Sequence, residues 1–364
     1  MIARTSRIRR GAAAAALLAL AAACADVGAP VDPAAGVDSD SLARSASSSI
    51  PQIVLDAENV IDRIAFRGTR TSRVRVRTGD LGKARVDPTS EIYEIEETLA
   101  SDGAGRFTIE LESVTSLPSG VDPLLFPTQH ERGVDAQWRL REFRIRNVDS
   151  LYGSYGVSLQ GPGDVVAGIQ CERVGLARFN GFDERPGRYV LEIDPSTGFV
   201  LAMSELDEAG GILEEFTYQT FEVDPDLSGL TLRDTVFTGT TLDVAQPLEP
   251  QVGTLTLVPN LWPDGFDLER GKSFAVPQSI QDTGASLLPA GQWVRMVATD
   301  GVEVVAFAHR TMAALQTMPL APATLQVLDE GAWTIAFGEV RGIPIIVSGR
   351  VGPSDLRLIV ESAF

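Results

Sequence analysis

The sequence predicts an α+β protein built mainly of antiparallel β-sheet, and three observations carry that prediction. Between Tyr189 and Val223, three alternating runs are separated by two turn clusters, Asp194-Pro195-Ser196-Thr197-Gly198 and Asp207-Glu208-Ala209-Gly210-Gly211. Tyr189, Leu191 and Ile193 share one face of the first run, and Phe199, Leu201 and Met203 share one face of the second. Period-two alternation bounded by Asp, Pro and Gly turns is the pattern of an antiparallel meander with one buried face. Second, Asp300-Gly301 and Arg341-Gly342 each lie between two apolar runs, as the turns of tight hairpins do. Third, helical stripes are short and few. A one-sided sheet needs a cover on its apolar face, whether helices, a second sheet or a lipid.

The elements follow in order. Basic residues through Arg10 precede the apolar run Gly11 to Ala23 and then Cys24. That run suits a signal-peptide core and is short for a membrane span. Leu20-Ala21-Ala22-Ala23-Cys24 resembles a bacterial lipoprotein cleavage site, although Ala21 stands where Leu is usual. Lipidation of Cys24 and ordinary cleavage both remain open on these residues. Residues 24–49, rich in Ala, Asp, Ser, Gly and Pro, read as a tether. A helix is expected over Pro51 to Ile64, with Ser49 as cap and Ile53, Ala57, Val60, Ile61 and Ile64 on one stripe. Strands are expected over Phe66–Arg77, Glu91–Leu99, Arg106–Val114, Gln137–Val148, Gly156–Gln160 and Val165–Phe179. Residues 115–135 form a Pro-containing insertion. After the meander, residues 225–260 read as a connection carrying a strand or two. Trp293–Thr299, Val302–His309, Trp333–Val340 and Ile343–Val351 make two hairpins, and Pro353–Ser362 a closing helix capped by Ser354.

The bulk properties narrow the function classes. The chain of 364 residues is long enough for two cores, and 44% hydrophobic with 22% charged residues is a globular composition. Its net charge is −18, and −22 without the four arginines of the leader. Such a surface repels nucleic-acid phosphates and argues against a nucleic-acid partner. Cys171 is expected as a buried free thiol, with a Cys24–Cys171 disulfide as the other outcome.

Bond-breaking chemistry has little support. His130 and His309 have no His or Cys at ligand spacing, so no zinc site is expected. No nucleophile elbow, phosphate-binding loop or dinucleotide fingerprint is present, and no cofactor is implied. Glu96-Glu97 and Glu214-Glu215 are adjacent on strands and point to opposite faces, so neither pair can share a proton. Their expected role is a solvated acidic face. Two features stand out. The arginines Arg63, Arg67, Arg70, Arg73, Arg75 and Arg77, with Arg139, Arg141, Arg144 and Arg146, either pair internally with carboxylates or bind an anion. The strand-face residues Phe66, Tyr93, Ile95, Phe107, Ile109, Leu191, Phe199, Leu201 and Phe216 either fill an ordinary core or line a lipid cavity.

Several motifs, in order, resemble the MucB/RseB family of periplasmic sigma-E regulatory proteins. Ala65-Phe66-Arg67-Gly68-Thr69 after a helix looks like that family's first strand. Val166-Ala167-Gly168 through Cys171, Arg188-Tyr189 to Asp194, Thr197-Gly198, Ser204 to Asp207 and Leu213-Glu214-Glu215-Phe216 look like its meander. Trp262-Pro263-Asp264-Gly265-Phe266, Thr299-Asp300-Gly301 and Val347 to Ile359 are similar to its C-terminal domain, while residues 78–165 show little likeness.

The resemblance implies an unclosed β-barrel of the LolA/LolB/LppX type over 50–224, with helices on its concave face. A linker over 225–260 and a smaller α+β domain over 261–364 follow. It implies a non-enzymatic periplasmic protein that binds a membrane-bound anti-sigma factor and responds to lipid or envelope-stress signals. Phe66, Phe107, Leu191, Phe199, Leu201 and Phe216 would line the concave face, and lipidated Cys24 would hold the chain to the outer membrane. That anchor looks more like LolB or LppX. A LolA/LppX-like lipid or lipoprotein carrier is the alternative, followed by a structural surface lipoprotein, with a hydrolase last.

Overall fold

A computed structural model describes residues 50–77, 90–117, 123–124, 142–179, 188–206, 210–232, 239–254, 256–276, 290–311, 326–330, 333–340, 342–351 and 353–363. The leader, Cys24, the tether, Ser49, His130, Arg139, Arg141 and most of the 115–135 insertion lie outside them.

Alternation in the first half builds one eight-stranded antiparallel sheet. Its strands are β1 (Ala65–Arg77), β2 (Ser90–Asp102), β3 (Phe107–Ser116), β4 (Tyr155–Val166), β5 (Ile169–Arg178), β6 (Arg188–Ile193), β7 (Val200–Leu206) and β8 (Ile212–Val223). Their order is β3-β2-β1-β8-β7-β6-β5-β4, two meanders joined where β1 pairs β8, and β3 and β4 at the two ends leave the sheet unclosed. A second sheet of seven strands has the order β13-β14-β15-β12-β11-β10-β9. These are β9 (Gly239–Leu242), β10 (Asp267–Val276), β11 (Gly291–Thr299), β12 (Val304–Arg310), β13 (Gln326–Glu330), β14 (Trp333–Val340) and β15 (Ile343–Gly349). The architecture is thus mainly antiparallel β with few helices.

The opening turn of the meander shows why the sequence folds as it does. The Asp194 carboxylate accepts from the Ser196 N–H at 2.9 Å and from the Thr197 hydroxyl at 2.7 Å, while the Gly198 N–H donates to the Asp194 carbonyl at 2.8 Å. An Asx-type turn closed this way reverses the chain from β6 into β7.

Helices are shorter than the stripes suggest. The expected helix over 51–64 is α1 (Gln52–Ala57), then a 3-10 turn over Val60–Asp62, because Asn59 between them is left-handed at φ 49°. Ile53, Val54 and Ala57 still face the inner side of the first sheet, in one core with Phe66, Leu99, Phe107, Leu191 and Leu201. The expected strand over 137–148 is not one within the described residues. Ile145 makes an isolated bridge to Glu58, and α2 (Val148–Ser154) begins with Asn147 accepting from the Ser150 N–H at 2.9 Å. An N-cap followed by inward Val148 and Leu151 outweighs the alternation before it. The run read as Val165–Phe179 contains the hairpin turn Ala167-Gly168, so β4 extends to Val166 and β5 begins at Ile169.

The connection over 225–260 holds β9, which pairs β10, and α3 (Leu248–Val252). Leu248 and Leu257 join the second core, whose other members include Val294, Met296, Phe307, Ile345 and Val347. Helix α4 (Pro353–Ser362) closes this core with Leu356, Ile359 and Val360. No helix among the described residues is long and apolar enough to cross a membrane.

The two sheets interlock. The β11–β12 turn, Asp300 to Glu303, reaches into the first half, where Val302 is a member of the first sheet's core. The Arg146 N–H donates to the Gly301 carbonyl at 2.7 Å. Gly301 has φ +100°, and a Cβ there would overlap the backbone of Leu151 and Asn147, so the turn requires glycine.

Candidate binding face

The inner face of the first sheet is organised in rows that run across the strands. The middle row joins Ile95, Ser72, Phe216, Met203 and Leu191, which are successive cross-strand partners from β2 to β6. On one side lies the row Glu97, Arg70 and Tyr218; on the other lies Tyr93, Val74, Glu214, Glu205 and Tyr189. A row that is apolar except for Ser72 is therefore flanked by two rows that carry charge.

All six expected lining residues lie in one buried core. Phe66, Phe107, Leu191, Phe199, Leu201 and Phe216 are between 0% and 5% exposed. Two of them anchor a ring cluster: Phe66 and Phe199 are 4.8 Å apart by ring centroid, and Phe199 lies 4.5 Å from Phe221 and 5.6 Å from Tyr218. Phe221 reaches this cluster because a bulge shifts the β1–β8 register between Thr69 and Arg70. Gln219 is the extra residue, and the shift returns Phe221 to the inner face that Tyr218 occupies. Gly68 is small for the same cluster, since a Cβ there would lie 2.7 Å from the Tyr218 ring.

The arginines divide by strand parity. Arg70 points inward, with its guanidinium on Glu142 at 2.5 and 3.1 Å and on Glu97 at 3.2 Å. The Ser72 hydroxyl donates to the same Glu97 at 3.2 Å, and Arg70 lies 4.9 Å over the Phe216 ring. Burial alone would lower the Arg70 pKa, but Glu142 and Glu97 hold it well above its ordinary value. Arg73 points outward and pairs with Glu94 at 3.1 Å and Glu215 at 2.5 Å. Arg144 is bound to Asp62 at 2.6 Å. Internal pairing accounts for these three.

The acidic neighbours are split between the faces, and this corrects one expectation. Glu96 is outside, accepting from Ser113, while Glu97 is 3% exposed. Glu215 is outside on Arg73, while Glu214 is inside with Arg350 at 3.1 Å. One member of each pair therefore belongs to a buried ion network and not to a solvated face. The signal for this was parity alone: Glu97 and Glu214 share their strand faces with Leu99, Ile95 and Phe216.

Arg350, directly after β15, crosses from the second sheet. It meets Glu205 at 2.7 Å, Glu214 at 3.1 Å and Glu303 at 3.7 Å. Burial would lower its pKa, but Glu214, Glu205 and Glu303 together raise it. Nearby, Asp300 is ion-paired with Arg178 and accepts from the Tyr155 hydroxyl at 3.0 Å. The Arg178 guanidinium lies 5.2 Å from the Tyr155 ring and 5.7 Å from that of Phe266.

Cys171 is a free thiol, 1% exposed, and burial pushes its pKa up to about 11. His309 is 1% exposed; its Nε2 accepts from the Leu257 N–H at 3.1 Å while Nδ1 faces the Arg310 carbonyl at 3.1 Å. Burial lowers its pKa to about 4, so it is neutral near pH 7. Among the described residues no cluster of three His, Cys, Asp or Glu is placed to hold a metal ion.

The fold and this face define a two-sheet antiparallel protein with charged rows enclosing an apolar one. No family model matches the sequence, and no curated protein matches it. Solved structures resemble it at low identity. A crystal structure of MucB has 16% identity and a TM-score of 0.43, covering 85% of this chain and 96% of that one. The Pseudomonas aeruginosa MucA/MucB complex has 16% identity and a TM-score of 0.45, covering 86% and 96%. A putative outer membrane lipoprotein-sorting protein domain from Vibrio parahaemolyticus has 8% identity and a TM-score of 0.21, covering 50% and 93%.

Proposed function

We propose that this chain is a non-enzymatic, RseB-like protein of the cell envelope that binds a membrane-bound anti-sigma factor and responds to lipid. The observation that carries this reading is where the family-like motifs fall. Ala65 to Thr69 opens β1 behind the α1 segment, and Val166 to Cys171 forms the β4–β5 hairpin. Arg188 to Asp194 and Leu213 to Phe216 form the meander whose inner face carries Leu191 and Phe216. Thr299-Asp300-Gly301 is the turn that joins the two sheets. Each motif thus sits at a position that builds either the inner face or the junction.

In this reading Phe66, Phe107, Leu191, Phe199, Leu201 and Phe216 are the wall against which an acyl chain would lie. Cys24 would hold the body near the outer membrane on the tether 24–49. The test is co-purification of the mature chain with a membrane anti-sigma protein, with and without added lipid. Capture that changes on lipid addition is the expected result; failure to bind any such partner in both conditions would overturn it.

A lipid or lipoprotein carrier of the LolA/LppX type is the second reading, favoured by the apolar run Phe216, Met203 and Leu191 across β8, β7 and β6. Mass spectrometry of gently extracted protein distinguishes the two. Stoichiometric bound acyl chains without an anti-sigma partner would select the carrier.

A further inference from the structure

Glu205 on β7 and Glu214 on β8 are direct cross-strand partners. Both point to the inner face that Met203 and Phe216 occupy one step along the same strands. Like charges directly opposite on an antiparallel ladder repel, and burial strengthens the repulsion. The first sheet thus builds an acidic socket from its own residues and supplies no cation of the same row to balance it, since the row's other members are Tyr93, Val74 and Tyr189.

The balancing charge arrives from the other sheet. Arg350 is 6% exposed and holds both glutamates together with Glu303 of the β11–β12 turn. Beside it, the same turn carries Asp300 to Arg178 and Tyr155 of the first half. Among the described residues, the charged and titratable groups that face the socket include Arg350, Glu205, Glu214, Glu303 and Tyr189, whose hydroxyl is 3.4 Å from Glu205. Arg178, Asp300 and Tyr155 neighbour them, and Glu142 also acts on Arg350.

We infer that Arg350 is an electrostatic latch: it closes the second sheet onto the first by neutralising an acidic socket, and the junction opens when that neutralisation is lost. The apolar contact of Val302 does not depend on charge state. The Arg350 contact does, so a competing cation or a lost guanidinium weakens the hold of the first core on the β11–β12 turn and lets the turn withdraw. The protein would then have a closed form with Val302 in that core and an open form with the turn withdrawn.

The test uses the full mature chain and hydrogen exchange at the junction. The informative amides are in residues 145–147, where the Arg146 N–H is bonded to Gly301. Arg350→Met should raise exchange there by about tenfold or more at pH 8. Lowering the pH to 5.5 should restore protection in this variant, because protons replace the missing cation; the wild type should show no such rescue. Arg350→Met with Glu214→Gln, or with Glu205→Gln and Glu214→Gln, should also recover protection at pH 8. Unchanged protection in Arg350→Met would overturn the inference. So would exchange that rises but is rescued neither by acid nor by the glutamine substitutions, since Arg350 would then act by packing alone. Should Arg350→Met fail to fold, a folded and protected triple variant supports the latch, and an unfolded one overturns it.

Discussion

Tyr155 and Asp300 are 145 residues apart in sequence and share a hydrogen bond of 3.0 Å in a buried site. Asp300 is 0% exposed and also pairs with Arg178, while its other oxygen accepts from the N–H groups of Val302 at 3.1 Å and Glu303 at 2.8 Å. One carboxylate therefore shapes its own turn and fastens that turn to the first sheet.

Asp300→Ala should lower stability by about 3–5 kcal/mol, because it leaves the Arg178 guanidinium buried without its carboxylate. Asp300→Asn, which keeps the acceptor oxygen for the turn, should lose less. Denaturant unfolding of both variants measures the difference. Equal losses would mean that the ion pair, and not the turn, is what matters.

Gly301→Ala tests the same turn sterically. A side chain there meets the backbone of Leu151 and Asn147 and must adopt φ +100°, so a loss of about 2 kcal/mol or more is expected. A melting temperature within a degree of wild type would show that the turn can withdraw without cost.

His309 makes acid stability of the second sheet predictable. Its pKa falls from 6.5 to about 4 on folding because burial disfavours the imidazolium. Between those values the unfolded chain binds a proton that the folded chain refuses, so stability is complete above pH 6.5 and declines toward pH 4. The contribution at stake is about 3 kcal/mol. His309→Gln should flatten this part of the pH–stability curve, read by thermal unfolding from pH 7 to 4.

Cys171 should react slowly with thiol reagents in the native chain. It is buried and its thiol is pushed up to about 11, so little thiolate exists at pH 7.5. Labelling with a maleimide should proceed at the rate of local opening and become fast in denaturant. Rapid native labelling would place the β5 region in an exposed state.

Phe199 is the residue to change for the binding face. Phe199→Ala removes ring contacts to Phe66, Tyr218 and Phe221 and should cost about 3–5 kcal/mol. If an acyl chain uses this wall, added fatty acid or phospholipid should restore part of the loss in a thermal shift. No restoration by any acyl chain would argue that the face is solely a core.

Much of the fold was legible because period-two alternation is a local signal. The meander from Tyr189 and the closing helix with Leu356, Ile359 and Val360 follow from neighbouring residues, and so does the β11–β12 hairpin, except that its turn runs from Asp300 to Glu303 and Val302, expected to open the second strand, sits in the first core. What escaped was set by distant contacts. Arg146 and Ile145 sit in an alternating stretch that ends at an N-cap, and their partners are Gly301 and Glu58. β10, around Phe274 and Val276, was hidden because Leu268 is the sole large apolar residue between Asp267 and Lys272. The charged rows were half visible. Parity put Glu97 and Glu214 on apolar faces, but nothing local to Arg350 announced that it would cross to the other sheet.

The placement of Val302 in the first core also bears on the order in which the chain can finish folding. A chain made from its N-terminus presents β1 to β8 long before residue 302 exists. The first sheet can pair its strands early, because all eight are complete by Val223. Its core, however, keeps an opening at Leu151 and Tyr155 until the β11–β12 turn arrives. Final closure of the earlier-made half therefore waits for the later-made one, and in the interval between them part of its apolar interior is left uncovered.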